Sequence, residues 1–305
     1  MPFIRIVLIA LLVVRFSGSA ADTFTVATFN VENYLDVKND TREVKSPESR
    51  AKVVSNIATM RPDVIGFQEM GSTNAFLELR ASLKAAGQDY PHWEHVAGWD
   101  TNIHVALLSK FPITARRPHT RESYLLNGRR LHVSRGFLEA DIKAPSGYTF
   151  TVFVAHLKSR RQVAEADEAE MREQEALILR EKIDVRMKAN ALANIVVIGD
   201  LNDTKDTKST RAIIGRGNGT LIDTRPAERN GDTVPPKNPR WDPSNITWTH
   251  FYGKEDSYSR IDYILVNRGM AREWNKGGTY VFTTANWGLA SDHRPIIAEF
   301  RSREE

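Results

Sequence analysis

The chain reads as a single α/β domain whose sheets are flanked by helices, and three observations predict this. Apolar runs of strand length alternate with stripes of helical period along the sequence. Short turns between neighbouring strands, such as Pro145-Ser146-Gly147, require hairpins and therefore antiparallel pairing. Neither a break in composition nor an internal repeat divides the 305 residues, and 41% apolar content supplies a sizeable core while excluding a disordered chain.

The elements follow in order. Residues 23–30 (TFTVATFN) alternate as a strand. Ser46-Pro47 offers an N-cap and a first-turn proline, and Val53, Val54, Ile57 and Met60 form a helical stripe that Pro62 ends. Residues 63–69 are a second strand and 74–86 a second helix closed by Gly87. Strands are predicted at 103–109, 136–142 and 149–157, then a long charged helix from 163 to about 190, its acids early and its bases late, as the helix dipole favours. The last third holds a β-branched run at 195–198, a short helix at 209–214, a polar, proline-rich loop at 225–245, and strands at 260–266 and 295–300.

At the N-terminus, Arg5, the apolar run 6–14 and the small residues 18–21 stand in the order of a secretory signal peptide, too short to span a bilayer unaided. The expectation is a leader of residues 1–20, a mature domain of 21–305 and a secreted or periplasmic protein without a transmembrane anchor; an uncleaved anchor or a buried N-terminal strand is the alternative, which Arg15 keeps open. The formal net charge of +4 then falls to +2, because Arg5 and Arg15 are lost, too modest to prove a nucleic-acid partner by itself. There is no cysteine, which excludes disulfides, thiolate zinc sites and a cysteine nucleophile.

The stretch NIVVIGDLND (194–203) drives four apolar residues through a glycine into acid. A buried strand ending at Gly199 would aim Asp200 and Asn202 to one side and Leu201 back into the core, provided the extended conformation continues. An Asx turn that merely caps the strand is the alternative. Five other segments place polar groups where an apolar run begins or stops: Asn30-Val31-Glu32-Asn33, Gln68-Glu69, His156-Leu157-Lys158-Ser159, Ile261-Asp262 and Ser291-Asp292-His293-Arg294-Pro295. Burying so much polarity without partners is costly, so convergence in one cleft is the economical reading.

The segments FNVEN, PDVIGFQE, SKFPI, AHLKS, GDLND, RIDYILV and SDHRP together resemble the endonuclease/exonuclease/phosphatase family, which includes pancreatic-type deoxyribonucleases and abasic-site endonucleases. They occur in family order from about Phe24 to Phe300. The resemblance implies a four-layer sandwich of two mostly antiparallel sheets packed face to face with helices outside, and metal-assisted hydrolysis of a phosphate ester. Glu69 matches the family's metal-binding glutamate, with Asn30 and Asp292 lining or completing the site. Oxygen ligands of this kind suit Mg²⁺, with Mn²⁺ or Ca²⁺ as alternatives. Glu32 stands where some members carry aspartate.

By the same resemblance Asp200 orients or deprotonates the attacking water and Asn202 donates to the charge developing on phosphorus. His293 is the second catalytic group, held in one tautomer by Asp262; which of Asp200 and His293 takes the proton stays open. His156 contacts the scissile phosphate or protonates the leaving group, and abasic-site enzymes typically have tyrosine there. Arg135, Lys158 and Arg160 flank the strand ends as candidate holders of further phosphates, with a solvated basic face as the alternative. Trp248, Phe251, Tyr252 and Trp287 are candidates to stack on bases or pack a lid, with core packing as the alternative for each. His92, His95 and His104 are read as structural.

The expected function is nucleic-acid phosphodiester hydrolysis by a monomer with no stable protein partner. Phosphatase or sphingomyelinase-like phospholipid phosphodiesterase activity is the alternative, and S-R-I-D-Y-I disfavours the inositol-polyphosphate branch. A non-catalytic binding module is disfavoured because Glu69, Asp200, Asn202, Asp262 and His293 are all present.

Overall fold

The computed structural model describes residues 23–39, 42–190, 193–229 and 245–302; the expected leader and most of the polar loop lie outside the described residues. In chain order the first half contains β1 (Thr23–Tyr34), α1 (Pro47–Met60), β2 (Val64–Met70), α2 (Thr73–Ala85), β3 (His92–Val96), β4 (His104–Ser109), β5 (Ile113–Arg116), β6 (Ser123–Leu126), β7 (Arg129–His132) and β8 (Phe137–Lys143). The second half contains β9 (Thr149–His156), α3 (Glu168–Ala189), β10 (Ile195–Asp200), α4 (Lys208–Ile214), β11 (Ile222–Asp223), β12 (Ala227–Glu228), β13 (His250–Tyr252), β14 (Ser257–Ser259), β15 (Asp262–Val266), α5 (Arg268–Glu273), β16 (Trp274–Val281) and β17 (Ile296–Arg301).

Two sheets form, in the orders β12-β16-β17-β1-β2-β4-β3 and β11-β15-β10-β9-β8-β5, with β6-β7 and β13-β14 as separate hairpins. Each large sheet has one central parallel pair, β1 with β2 and β9 with β10, bridged by the crossover helices α1 and α3. The other pairings are antiparallel except for the short β12 beside β16. The two sheets thus repeat one plan, with a parallel pair at the centre and antiparallel strands on both sides.

Three apolar layers hold the sandwich. Val26, Val64, Leu107, Val152, Val154, Val196, Ile198 and Ile264 pack between the sheets. Ala27, Phe29, Ile65 and Phe67 face α1 and α2 through Val53, Ile57, Phe76 and Leu79. Phe153, Ile195 and Val197 face α3 through Ala176, Leu179 and Ile183. The run 195–198 is apolar without a break because its odd and even residues enter different layers, as expected for a strand buried on both faces. The fold is the four-layer α/β sandwich.

Local signals account for the ends of the helices. Ser46 accepts from Ser49 N at 3.2 Å with Pro47 behind it, and Arg61 closes α1 in the left-handed conformation before Pro62. Helix α3 begins at Glu168, five residues later than the composition suggests, because Asp167 caps it by accepting from Ala169 N and Glu170 N at 3.0 and 2.9 Å. The residues freed by this late start form the loop that carries Lys158 and Arg160.

Gly199 lets β10 lie against β9 on the way into the site. Its φ is +137°, and a Cβ there would sit 1.9 Å from the carbonyl oxygen of Ala155, its register partner. Gly199→Ala is expected to lower stability by about 3 kcal/mol or more, read as a fall in the thermal midpoint. An unchanged midpoint would show that the strand pair relaxes around the methyl group.

Candidate active site

Parallel central pairs bring strand ends to one edge of the sandwich. Asn30 of β1 is level with Gln68 of β2, one residue before Glu69, and Asp200 of β10 is level with His156 of β9 and Asp262 of β15. The turn before β17 adds Asp292 and His293. All six segments singled out in the sequence therefore meet.

Asp200 is buried at the centre. Its Oδ2 accepts from Asn30 Nδ2 at 3.0 Å and from Asn202 Nδ2 at 3.3 Å, and its Oδ1 accepts from the Asn202 backbone N–H at 2.8 Å. Asn202 has φ +54°, so the chain does not stay extended after Gly199. Asp200 reaches the cleft by an Asx turn, which makes the capping and site readings one structure, while Leu201 still returns to the core against the helices. Asn202 Nδ2 also donates to Leu157 O at 3.0 Å, tying the end of β10 to that of β9.

His293 pairs through Nδ1 with Asp262 Oδ2 at 2.8 Å, and its Nε2 lies 3.8 Å from Asp200 Oδ2 and 3.4 Å from Asn30 Nδ2. His156 Nε2 lies 3.6 Å from the same Asp200 oxygen, and its buried Nδ1 has no hydrogen-bond partner. Burial pushes the Asp200 carboxyl up, opposed by the charge of His293. Burial works against charge on His293, yet Asp262 and Asp200 outweigh it and hold the imidazole well above its ordinary value. Burial, then the nearby charges of Arg135, His293 and Arg42, hold His156 well below its own. The two histidines are thus pushed in opposite directions, His293 toward its charged form and His156 toward its neutral one.

A second group of carboxylates lies beside this one. Glu69 accepts from Asn33 N at 3.0 Å and faces Arg42 at 3.8 Å; Glu32 faces Lys45 at 3.5 Å. Burial and then the charge of Asp292 raise the Glu32 carboxyl, with Glu69 adding to the effect. Burial also raises Asp292, but His250 at 3.6 Å and His293 at 3.9 Å prevail and hold it below the usual range. Glu32, Asn33 and Glu69 all adopt positive φ, a strain concentrated where the carboxylates converge.

Carboxylates that repel one another on a strained backbone are what a hard divalent cation relieves: Glu32 feels the charges of both Asp292 and Glu69, and the oxygens of Glu69, Asp292 and the second lone pair of Asn30 Oδ1 are donors of the type such an ion takes. The first lone pair accepts from Glu32 N at 3.0 Å. Among the described residues, two groups bring potential ligand atoms within 4.8 Å of one another: His250 with Asp292 and His293, and Asp200 with Asp262 and His293.

The expected phosphate-holding residues divide by partner. Arg135 is buried, donates from Nη1 to Leu157 O at 3.2 Å and faces Asp100 at 3.7 Å. Lys158 donates from Nζ to Ser159 O and Arg161 O at 3.1 and 2.9 Å and so braces its own loop. Arg160 is half exposed and donates from Nε to Asn202 O at 3.1 Å, next to the candidate catalytic residues. Arg42, Arg135, Lys158 and Arg161 line a groove of about 470 Å³.

Four contributors were not singled out from sequence. Arg42 and Lys45 sit in a connection without periodicity, and His250 is marked only by its proximity to RIDYILV. Glu175 did carry a signal, since it interrupts the stripe Met171, Leu179, Ile183 at helical spacing. Fully buried, it accepts from Lys158 N at 2.7 Å and from Ser134 N and Oγ at 3.0 Å each, joining the loops of Lys158 and Arg135. Of the aromatic residues, Trp248 packs 3.2 Å over Arg294, whereas Phe251 and Trp287 line a cavity of about 550 Å³ with Glu32 and Asp292. His95 and His104 pack against each other, 5.0 Å between ring centroids.

The sequence matches the model of the endonuclease/exonuclease/phosphatase family over residues 27–293, from the middle of β1 to His293 itself. The chain belongs to the endonuclease/exonuclease/phosphatase family. Membership makes it a hydrolase of the phosphoesterase type with a divalent-metal requirement. Several solved structures share its fold. The human nocturnin catalytic domain is 14% identical with a TM-score of 0.62, covering 92% of this chain and 95% of that one. Sphingomyelinase C from Streptomyces griseocarneus is 19% identical at 0.60, covering 92% and 100%. Truncated Caenorhabditis elegans TDP2 is 17% identical at 0.58, covering 92% and 97%. No protein of curated function matches the sequence.

Proposed function

We propose that this chain is a Mg²⁺-dependent phosphodiesterase that hydrolyses nucleic acid and acts outside the cytoplasm, in the periplasm or as a secreted enzyme. The observation that carries the substrate class is the groove of Arg42, Arg135, Lys158 and Arg161, close enough to His156 for its charges to bear on the imidazole. A groove in which four cationic residues outnumber Asp100 and Glu165, leading from a phosphoester site, fits a polyanion better than a single phosphate. The hairpin β13-β14 beside the site carries Lys254, Glu255 and Asp256 at its tip, charges that favour water over a lipid surface. The signal-like N-terminus supports export.

Glu69, Asn30 and Asp292 would hold the metal, which when bound draws charge from the phosphate oxygens. Asp200, its carboxyl raised by burial, accepts the proton of the attacking water. Asn202, whose two Nδ2 hydrogens go to Leu157 O and Asp200 Oδ2, holds the Asp200 carboxylate in place rather than donating to the phosphoryl oxygens. His293, kept protonated by Asp262, supplies positive charge to them, and neutral His156 hydrogen-bonds the phosphate from the β9 side.

The test is the nicking of supercoiled plasmid DNA by purified protein with Mg²⁺ and with chelator. The expected result is relaxation with Mg²⁺ and its loss, by at least about a hundredfold, with chelator. Absence of cleavage of DNA and of RNA, with turnover of sphingomyelin, would replace this reading by the phospholipid one.

A further inference from the structure

Trp99 lies on the wall of the basic groove with its side chain largely in water, 66% exposed. An exposed indole alone needs no explanation. This one is held in place: its ring stacks on that of His132 with centroids 3.9 Å apart and planes within 5°. Asp100 N donates to Ser134 O at 2.6 Å, and Gly98 rests so close to the neighbouring loop that a Cβ would come within 2.3 Å of the Arg135 carbonyl carbon. The platform is therefore fixed to the segment that carries Arg135. That arginine is 5% exposed, and its Nε, without a hydrogen-bond partner, faces Asp100 Oδ2 at 3.7 Å.

We propose that Trp99, backed by His132, is a nucleobase-stacking subsite for a nucleotide flanking the scissile phosphate, with Arg135 and Arg161 facing the adjoining backbone. The inference rests on the nucleic-acid reading above and specifies how the groove takes that substrate. A flat aromatic face alternating with positive charge matches the alternation of base and phosphate along a single strand, and stacking makes it tolerant of sequence. A rigid, already stacked indole loses little freedom on binding.

The test compares kcat/KM on a single-stranded DNA oligonucleotide with that on a strand of equal length made of tetrahydrofuran abasic residues. Native protein is expected to favour the base-bearing strand by about tenfold, the scale of one base–aromatic stack. Trp99→Ala should bring the two strands to near equality and Trp99→Phe should restore most of the preference. Turnover of bis(4-nitrophenyl) phosphate, too short to reach the groove, should be unchanged in both variants. A preference that survives Trp99→Ala, or equal cleavage of both strands by native protein, overturns the subsite and leaves the nuclease reading intact. Failure of native protein to cut either strand while it hydrolyses the small diester overturns both.

Discussion

Asp200→Asn is expected to abolish hydrolysis, by about a thousandfold or more in kcat, while leaving the protein at least as stable as before. The loss follows from geometry: Asp200 Oδ2 is the oxygen on which Asn30, Asn202, His156 and His293 all converge, and an amide accepts no proton from water. The stability half follows from linkage. Burial raises the Asp200 carboxyl from 3.8 to about 7 in the folded chain. Between those values the folded state binds more protons than the unfolded state, so this group makes stability fall as pH rises through the window, and the penalty remains above it. An amide carries no such penalty. Thermal melts in chelator at pH 5 and pH 8 should show the variant's lead over native protein growing between the two by roughly 1 kcal/mol or more, because pH 5 already lies inside the window. A variant that keeps substantial turnover would remove Asp200 from the mechanism.

Asp262→Asn is expected to cost about two to four orders of magnitude in kcat and to shift the pH profile in a defined direction. His293 stays protonated because Asp262 and Asp200 outweigh its burial, so removing the Asp262 charge lowers the pH at which the imidazolium is lost. With His293 acting in its charged form, the alkaline limb of the kcat profile moves to lower pH. A shift of the acid limb instead would show that His293 works as the neutral base and would exchange the roles assigned to it and Asp200. His293 also contributes stability that is fully present below about 6.5 and disappears as pH rises through its elevated folded value, so the variant should lose stability on the acid side of that range.

The central strands and their polar ends were legible because a strand buried on both faces is written as an uninterrupted apolar run, and an acid directly after such a run has few places to go. Residues 195–200 show this most clearly. The strands that escaped notice lie toward the edges or in hairpins: His92–Val96 is half-buried along most of its length, and Trp274–Val281 carries Gly277 and Gly278 within it. Such strands owe their form to a neighbour rather than to their own pattern. Arg42 and Lys45 were illegible for a related reason, since their roles come from Glu69 and Glu32, which are distant in sequence and near only after folding. The turn at Asn202 shows the limit of alternation: periodicity gave the direction of Asp200 and missed the left-handed residue that secures it.

The hydrogen bond from Asn30 to Asp200 joins residues 170 positions apart and is made between the two sheets, neither of which contains a complete site. Activity must therefore emerge last during refolding, after each sheet has formed and the two have met, since contacts of such long range are the slowest to establish. Turnover becomes a timer for docking of the sheets, lagging behind the recovery of far-ultraviolet circular dichroism. A partly assembled chain would then be chemically silent until its two sheets have met.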